Sequence, residues 1–232
     1  AEIFQYHAET NTIYATNSAN NTIAVIDASS VSTATMADPI NNTTLTQTTI
    51  ALPADINGVT LGSVTSIAVS GDLMAVAVPA DVKTDNGYVL FYNGLDSSAP
   101  AFLDSVEVGA LPDMVTFTPD GGKVLVANEG EPSDDYTIDP EGSVTVINIL
   151  ASGEPEETGT TVGFTALNGT EADLMAQGMM FPNPAGRTIN GTAITSTVAK
   201  DLEPEYITAT NDVAYVSLQE NNGLAIIDLE EL

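Results

Sequence analysis

Basic residues are scarce in this sequence of 232 residues, which has four Lys and Arg against 32 Asp and Glu. The net charge of −28 repels the phosphates of nucleic acids and the anionic surface of a membrane, so neither is expected as a partner. The same charge attracts cations. Only 16% of the residues are charged and 43% are hydrophobic, a composition that indicates a folded acidic domain rather than a disordered tail.

Cysteine is absent, and histidine occurs once, as His7. The first absence excludes disulfide bonds, thiolate metal sites and a cysteine nucleophile, and the two together disfavour zinc. A single imidazole without a recognisable Ser or Asp partner in the sequence is more typical of a structural histidine than of a catalytic one. No apolar run approaches the ~20 residues of a membrane-spanning helix, so we expect no transmembrane segment.

The stretch from Leu111 to Ile149 shows a pattern that the rest of the chain repeats. Its alternating or β-branched apolar residues predict three strands, at Met114 to Thr118, Lys123 to Asn128 and Ser143 to Ile149. A Pro-Asp-Gly-Gly turn joins the first two, because Pro presets φ and glycine allows positive φ. The next connection is far longer than a hairpin needs, and a loop of that length in a compact all-β pattern is usually functional or disordered.

Four copies of this pattern follow one another along the chain. They occupy residues 3–27, 64–93, 114–148 and 205–228, with insertions at 28–60 and 151–199. Irregular spacing of this kind is typical of a β-propeller, whose blades are four-stranded antiparallel sheets around a channel. Outer strands are expected between the copies, for example at 102–108. The apolar spacing at 170–180 predicts a helix packed on the blade edges.

We therefore predict an all-β fold in which residues 1–232 form one β-propeller segment of about four blades. Propellers close with about 4 to 8 blades, and four blades with such large insertions make a poor ring. An open arc would leave strand edges and an apolar blade face exposed. We expect the segment to belong to a larger ring, completed by further blades or by a second chain.

Acidic residues are concentrated in connections that this topology brings to one face. The loop from the second to the third strand and the connection from an outer strand to the next blade both emerge there. The candidate metal ligands are Glu129, Glu131, Asp134, Asp135, Asp139, Glu141, Asp201, Glu203, Glu205 and Glu220. Carboxylates at this density favour Ca²⁺, which takes about 6 to 8 oxygen ligands. The simpler alternative is a solvated acidic face.

Several motifs resemble known proteins. TPDGGKVLVANEGEPSDD followed by GSVTVINI is similar to the repeats of YVTN-type, lactonase-like propellers. NEGEPSDDY, DPEGSV, AKDLEPEYI and LQENNGLAIIDL resemble the choice-of-anchor I family, and the likeness covers all four copies. The resemblance implies a secreted or cell-surface setting and a chain that continues beyond Leu232. It also implies kinship with mesenchyme-specific cell-surface glycoproteins and with alkaline phosphatase-like secreted proteins.

Three functions remain open. The favoured one is an extracellular or cell-surface propeller module that binds Ca²⁺ and serves attachment or assembly. The second is a metal-dependent phosphoesterase, alkaline phosphatase- or phytase-like, at the acidic channel mouth. It would need several metal ions, because few basic residues could hold an anionic substrate, and no catalytic residue is assigned to it. The third is a structural segment whose acidity serves solubility alone.

Overall fold

The computed structural model describes residues 3–37, 45–97, 100–182, 186–189 and 191–232. Its framework is four antiparallel sheets, numbered here blade 1 to blade 4, in which each strand pairs with the next one along the chain. The predicted all-β fold of antiparallel four-stranded blades is confirmed. Parts of both insertions, residues 38–44, 183–185 and 190, lie outside the described residues.

The first three blades have four strands each. Blade 1 comprises β1 (Phe4–His7), β2 (Thr12–Asn17), β3 (Thr22–Asp27) and β4 (Gln47–Ala51). Blade 2 comprises β7 (Ser66–Ser70), β8 (Leu73–Val78), β9 (Asn86–Asn93) and β10 (Ala101–Ala110). Blade 3 comprises β11 (Pro112–Phe117), β12 (Lys123–Asn128), β13 (Ser143–Asn148) and β14 (Thr160–Gly163). In the described part of the chain, blade 4 has three strands, β17 (Pro204–Ala209), β18 (Val213–Leu218) and β19 (Gly223–Asp228).

Short elements occupy the connections. Two small hairpins are formed by β5 (Asp55–Ile56) with β6 (Val59–Thr60) and by β15 (Thr188–Ile189) with β16 (Thr192–Ala193). The described residues include the helices α1 (Thr33–Ala37), α2 (Glu171–Ala176) and α3 (Val198–Asp201), and 3₁₀ turns at Leu95–Ser97 and Thr165–Leu167. No helix among the described residues has the length and hydropathy needed to cross a membrane.

For β10 to β13, the predicted and observed strand bounds agree within about two residues. Strand β11 starts at Pro112 rather than Met114, β12 is as predicted, and the outer strand β10 contains the predicted segment 102–108. Helix α2 is shorter than the predicted 170–180, because Gly178 follows it with a φ of 103°, a conformation that ends helices. The apolar side of α2 packs as expected, since Leu174 lies against a cluster around Phe164 and Leu218.

Side chains that alternate between the two faces of each central strand pack against the blades on either side. In β8, Met74 and Val76 pack against blade 1, whereas Ala75 and Ala77 pack against blade 3. Strand β12 repeats the arrangement between blades 2 and 4. Both faces of these strands are buried, which explains why their sequences are almost continuously apolar. Three apolar cores therefore hold four blades in sequence.

The arc has two exposed ends. The inner strands β1, β7, β11 and β17 contact one another in that order. Among the described residues, however, no core cluster joins blade 4 to blade 1. The free face of blade 1 carries exposed Phe4 and Tyr6, and that of blade 4 carries Tyr206, Tyr215, Leu224 and Ile226. Completion of the ring by further blades or a second chain stays a prediction.

Candidate cation site at the acidic mouth

The strand order gives the propeller two chemically different faces. One face, called the hairpin face, carries the turns from the first to the second strand of each blade and the connections from third to fourth. The opposite loop face carries the connections from second to third strand and those between blades. Contacts agree with this division: Lys83 Nζ donates to Glu131 Oε2 at 2.9 Å and joins two loops of the loop face. On the hairpin face, the Asp120 backbone N–H donates to Asn211 Oδ1 at 3.1 Å.

A group of carboxylates from blades 3 and 4 meets on the loop face. We call it the acidic mouth, and its members are Asp113, Glu129, Glu131, Glu203, Glu205 and Glu220. Glu129 is at the centre, since the other charges that act on it are those of Asp113, Glu131, Glu205 and Glu203. The structure thus brings together residues that lie far apart in the sequence.

Close backbone contact positions the two acidic segments. The N–H of Gly142 donates to the carbonyl of Ala199 at 3.0 Å, and the N–H of Glu129 donates to the carbonyl of Leu111 at 3.0 Å. A Cβ atom at Gly142 would collide with the carbonyl oxygen of Leu202. Glycine is therefore required there, because it lets the end of the long loop lie against the segment that carries Glu203.

Asn221 holds the blade 4 side of the mouth in place. Its side chain is fully buried and donates to the carbonyls of Asp201 at 2.7 Å and Met180 at 3.0 Å. Its Oδ1 accepts the backbone N–H of Glu203 at 3.3 Å. One amide side chain therefore links the turn that carries Glu220 to the segment that carries Glu203.

Burial and mutual repulsion raise the pKa values of the central carboxyl groups. Loss of solvent, followed by the charges of Asp113 and Glu131, raises the pKa of Glu129 to about 8. Burial and the charge of Glu220 raise the pKa of Glu203 to about 7. Burial, together with a hydrogen bond from its side chain to that of Glu220, raises the pKa of Glu205 to about 7. Near neutral pH these groups therefore hold protons that a cation could replace.

Little positive charge reaches this group. Lys83 Nζ lies 2.9 Å from Glu131 Oε2 and 3.8 Å from Asp134 Oδ1, at the exposed edge of the mouth. The hydrogen bond to Glu131 raises the pKa of Lys83. A cavity of about 390 Å³ opens here, lined by Lys83, Glu131, Glu203 and Glu220 among others. The space and the oxygen atoms suit a hydrated cation.

The structure distributes the ten predicted ligands unequally. Five of them belong to the mouth, namely Glu129, Glu131, Glu203, Glu205 and Glu220, and the charge of buried Asp201 contributes to the raised pKa of Glu203. Asp134 is exposed at the edge.

The other predicted ligands serve the loop itself or lie apart. Asp135 accepts hydrogen bonds from Ser133 and Thr137 in a local turn, and these bonds lower its pKa. Burial raises the pKa of Asp139, which lies near Lys200. Glu141 is exposed and lines a separate cavity with Glu107.

Sequence reasoning missed Asn221 and the packing role of Gly142. Neither residue bears charge, so neither appears in a search for ligands. The burial of the Asn221 side chain depends on the 151–199 insertion, which supplies the Met180 carbonyl that it contacts. That packing has no local sequence pattern.

Comparison with known proteins gives a family and two distant structural likenesses. A sequence 35% identical over 100 residues, 40% of this chain, belongs to the mesenchyme-specific cell surface glycoprotein of Strongylocentrotus purpuratus, and the match spans only 13% of that protein. The periplasmic gluconolactonase PpgL of Pseudomonas aeruginosa is 13% identical with a TM-score of 0.40, over 97% of this chain and 66% of that one. Hydrazine synthase of Kuenenia stuttgartiensis is 14% identical with a TM-score of 0.31, over 97% and 76%.

At these TM-scores neither solved structure supports a conclusion about this chain. The family comparison is much more extensive. A model described as the choice-of-anchor I domain matches residues 2–232, nearly the whole sequence. This chain belongs to the choice-of-anchor I family.

Proposed function

We propose that this chain is a Ca²⁺-stabilised propeller module of the cell surface or extracellular space that serves attachment or assembly. The acidic mouth is the observation that carries the proposal. Burial and the charges of neighbouring carboxylates raise the pKa values of Glu129, Glu203 and Glu205 to about 7 or 8. A bound cation would replace repulsion by attraction at this junction of two blades.

The chemistry of the mouth favours Ca²⁺ over other common cations. Its members provide only oxygen ligands. They come from four separate backbone segments rather than from one compact loop. Ca²⁺ accepts about 6 to 8 oxygens in flexible geometry, whereas Mg²⁺ demands near-ideal octahedral coordination. Sites of this kind in extracellular modules bind in the range of about 0.1 to 1 mM. Ligands from blades 3 and 4 would make the ion a link between them.

Two comparisons support the proposed location. The chain belongs to the choice-of-anchor I family, and its curated relative is named as a cell surface glycoprotein. The high negative charge also suits an exterior where dissolved salt and divalent cations screen self-repulsion. Attachment itself can be measured on intact cells of the producing organism. We expect external protease to reach the protein there, and EDTA to reduce its surface-bound fraction.

Thermal unfolding with millimolar Ca²⁺ or with EDTA, at constant ionic strength, tests the cation site. For a Kd of about 0.1 mM, ~1 mM Ca²⁺ is about a tenfold excess and stabilises the folded state by about 1.4 kcal/mol, so we expect Tm to rise by a few degrees. The triple variant E129Q/E203Q/E205Q should lose this rise. The charge-matched control E157Q/E230Q/E231Q changes exposed carboxylates outside the mouth and should retain it.

An equal Ca²⁺ effect in both variants would show general screening and contradict the site. The alternative function, a metal-dependent phosphoesterase, is tested by measuring the hydrolysis of p-nitrophenyl phosphate by the same preparations. The informative result is turnover that depends on Ca²⁺, disappears in E129Q/E203Q/E205Q and persists in the control. That result would show that the mouth is a catalytic site rather than a structural cation site. If Ca²⁺ has no effect on Tm, the third hypothesis is favoured, in which the acidic residues serve solubility alone.

A further inference from the structure

The single histidine lies in a second group of potential ligands, far from the acidic mouth. His7 ends β1 on the hairpin face, where blade 1 meets blade 2, and its side chain is 5% exposed. Two carboxylates face it: Glu9, from the turn after β1, and Asp96, from the 3₁₀ turn after β9. The three ligand atoms lie within 4.8 Å of one another.

Thr10 contacts the Nδ1 side of the His7 ring. Thr10 Oγ1 lies 2.8 Å from His7 Nδ1 and 3.0 Å from Thr12 Oγ1. A threonine hydroxyl can accept the proton of Nδ1, and in that tautomer Nε2 presents a lone pair. This Nε2 atom is buried and has no hydrogen-bond partner.

The spacing around Nε2 is that of a metal site rather than of a hydrogen bond. Nε2 lies 3.4 Å from Asp96 Oδ1 and 3.6 Å from Glu9 Oε2. Both separations exceed the usual N–H···O range of about 2.7 to 3.2 Å. Two ligand atoms on one tetrahedral Zn²⁺ ion, with bonds of about 2.0 to 2.2 Å, lie about 3.3 to 3.5 Å apart. Without an ion, the Nε2 lone pair faces two carboxylates, which is unfavourable. A cation between the three atoms would attract all of them.

Outer contacts orient two of the three ligands. The bond from Nδ1 to Thr10 fixes the ring, as the second nitrogen of a metal-binding histidine commonly does. Asp72, in the turn between β7 and β8, accepts the backbone N–H of Asp96 at 2.8 Å and that of Gly94 at 3.1 Å. The 3₁₀ turn that carries Asp96 is thus held against blade 2.

We propose that His7, Glu9 and Asp96 form a site for a divalent first-row transition ion, with Zn²⁺ as its strongest common occupant. One imidazole and two carboxylates leave at least one coordination position for water or a ligand. Imidazole selects such ions over Ca²⁺, and Zn²⁺ binds more tightly than Mn²⁺ or Fe²⁺ to nitrogen and oxygen ligands. The ion would connect blade 1 to blade 2 on the hairpin face, independently of Ca²⁺ at the mouth.

Because His7 is the sole histidine, its ring can be observed without assignment. Protein labelled with ¹⁵N-histidine is titrated with Zn²⁺ in millimolar Ca²⁺, which occupies weak carboxylate sites. We expect a large shift of the Nε2 resonance that saturates near one equivalent, while Nδ1 keeps its proton. An Nε2 resonance that Zn²⁺ leaves unchanged would overturn the proposal. So would an imidazolium at neutral pH that Zn²⁺ cannot deprotonate, since His7 would then simply pair with the two carboxylates.

Variants of the exposed ligands add a second measurement that does not depend on changing the buried ring. D96N and E9Q should each weaken Zn²⁺ binding by about tenfold or more, measured by competition with a chromogenic chelator. D212N removes one exposed carboxylate from the same face and should bind as the unaltered protein does. Equal affinity in all three variants would place Zn²⁺ elsewhere and contradict the site.

Discussion

Carboxylates in tight turns and carboxylates at the acidic mouth are in opposite electrostatic states. On the hairpin face, Asp120 accepts hydrogen bonds from the Gly122 backbone and the Thr118 hydroxyl, and these lower its pKa. Asp27 is similar, since Ser29 lowers its pKa. At the acidic mouth, Glu129 and Glu203 have half-buried side chains with other carboxylates around them, and their pKa values are raised.

The difference shows that a count of acidic residues does not locate a cation site. A carboxylate in a tight turn is stabilised by the N–H and O–H donors of that turn, so it needs no ion. A carboxylate surrounded by others lacks such donors and remains partly protonated until a cation replaces the proton. The mouth should therefore respond to Ca²⁺ and to pH, whereas the aspartates in the turns should respond to neither near neutrality.

The largest expected effect is a loss of stability on raising the pH in EDTA. The pKa values of Glu129, Glu203 and Glu205 are higher in the folded state than in the unfolded state, so these carboxyl groups stabilise the fold fully below about pH 4.5. This contribution is lost as the pH rises through about 7 to 8. We expect a loss on the order of 4 kcal/mol over this range, or roughly 8 to 16 °C in Tm. Millimolar Ca²⁺ should reduce this loss by about 1 kcal/mol.

Two variants separate the mouth from general repulsion in that experiment. E129Q/E203Q/E205Q should flatten the pH dependence in EDTA, because the groups that titrate are gone. E157Q/E230Q/E231Q has the same net charge and should keep the slope. A slope that depends on net charge alone would contradict the assignment to the mouth.

The next effect is that of G142A, which would place a Cβ atom against the Leu202 carbonyl. Forcing the long loop away from that carbonyl should cost about 2 to 3 kcal/mol and reduce the Ca²⁺-dependent rise in Tm. The matched control is G163A, at an edge strand where no atom lies within 4 Å of the new methyl group. Thermal unfolding should show a change of less than about 2 °C for G163A. Equal losses in both variants would contradict a special role for Gly142.

A somewhat smaller effect is expected from N221A. The substitution removes four side-chain hydrogen bonds and leaves the Glu203 N–H and the Asp201 carbonyl without this partner, at a cost of about 2 kcal/mol. Ca²⁺ affinity should fall with stability, because Glu203 loses its fixed position. N211A removes one exposed hydrogen bond on the hairpin face and should leave Ca²⁺ affinity unchanged. Calorimetric titration with Ca²⁺ distinguishes the two, and an unaltered affinity in N221A would argue against positioning by Asn221.

The smallest change in stability belongs to K83M, which removes the cation at the edge of the mouth. Its pair with Glu131 is about two-fifths exposed, so its loss should cost less than about 1 kcal/mol. Ca²⁺ affinity should nevertheless increase by a few fold, since a competing positive charge is gone. K123M on the hairpin face should change stability alone. A decrease in Ca²⁺ affinity in K83M would contradict the arrangement.

Much of the fold could be predicted because its information is local. The pattern of two alternating strands joined by a tight turn occurs four times, and its period and turn residues are sufficient to place the strands of the third copy within about two residues. The meeting of Glu129 with Glu203 followed from strand order alone. Local signals could not show that Asp135 is satisfied by Ser133 and Thr137, because this depends on the conformation of a long loop.

The second ligand group shows where local reasoning ends. His7 and Asp96 lie in different blades, and nothing near either residue indicates the other. Their meeting depends on the angle between blades 1 and 2, which the buried cluster around Tyr14 and Met74 determines. From the sequence alone, His7 therefore has no recognisable ligand partner.

Proton release on Ca²⁺ binding tests the central claim most directly. Calorimetric titration at neutral pH in two buffers of different ionisation enthalpy counts the protons displaced from the mouth. Because the pKa values of Glu129, Glu203 and Glu205 are raised to about 7 or 8, binding should release about one proton per ion. The release should disappear in E129Q/E203Q/E205Q. Binding without proton release, or release that persists in that variant, would show that Ca²⁺ does not bind at the acidic mouth.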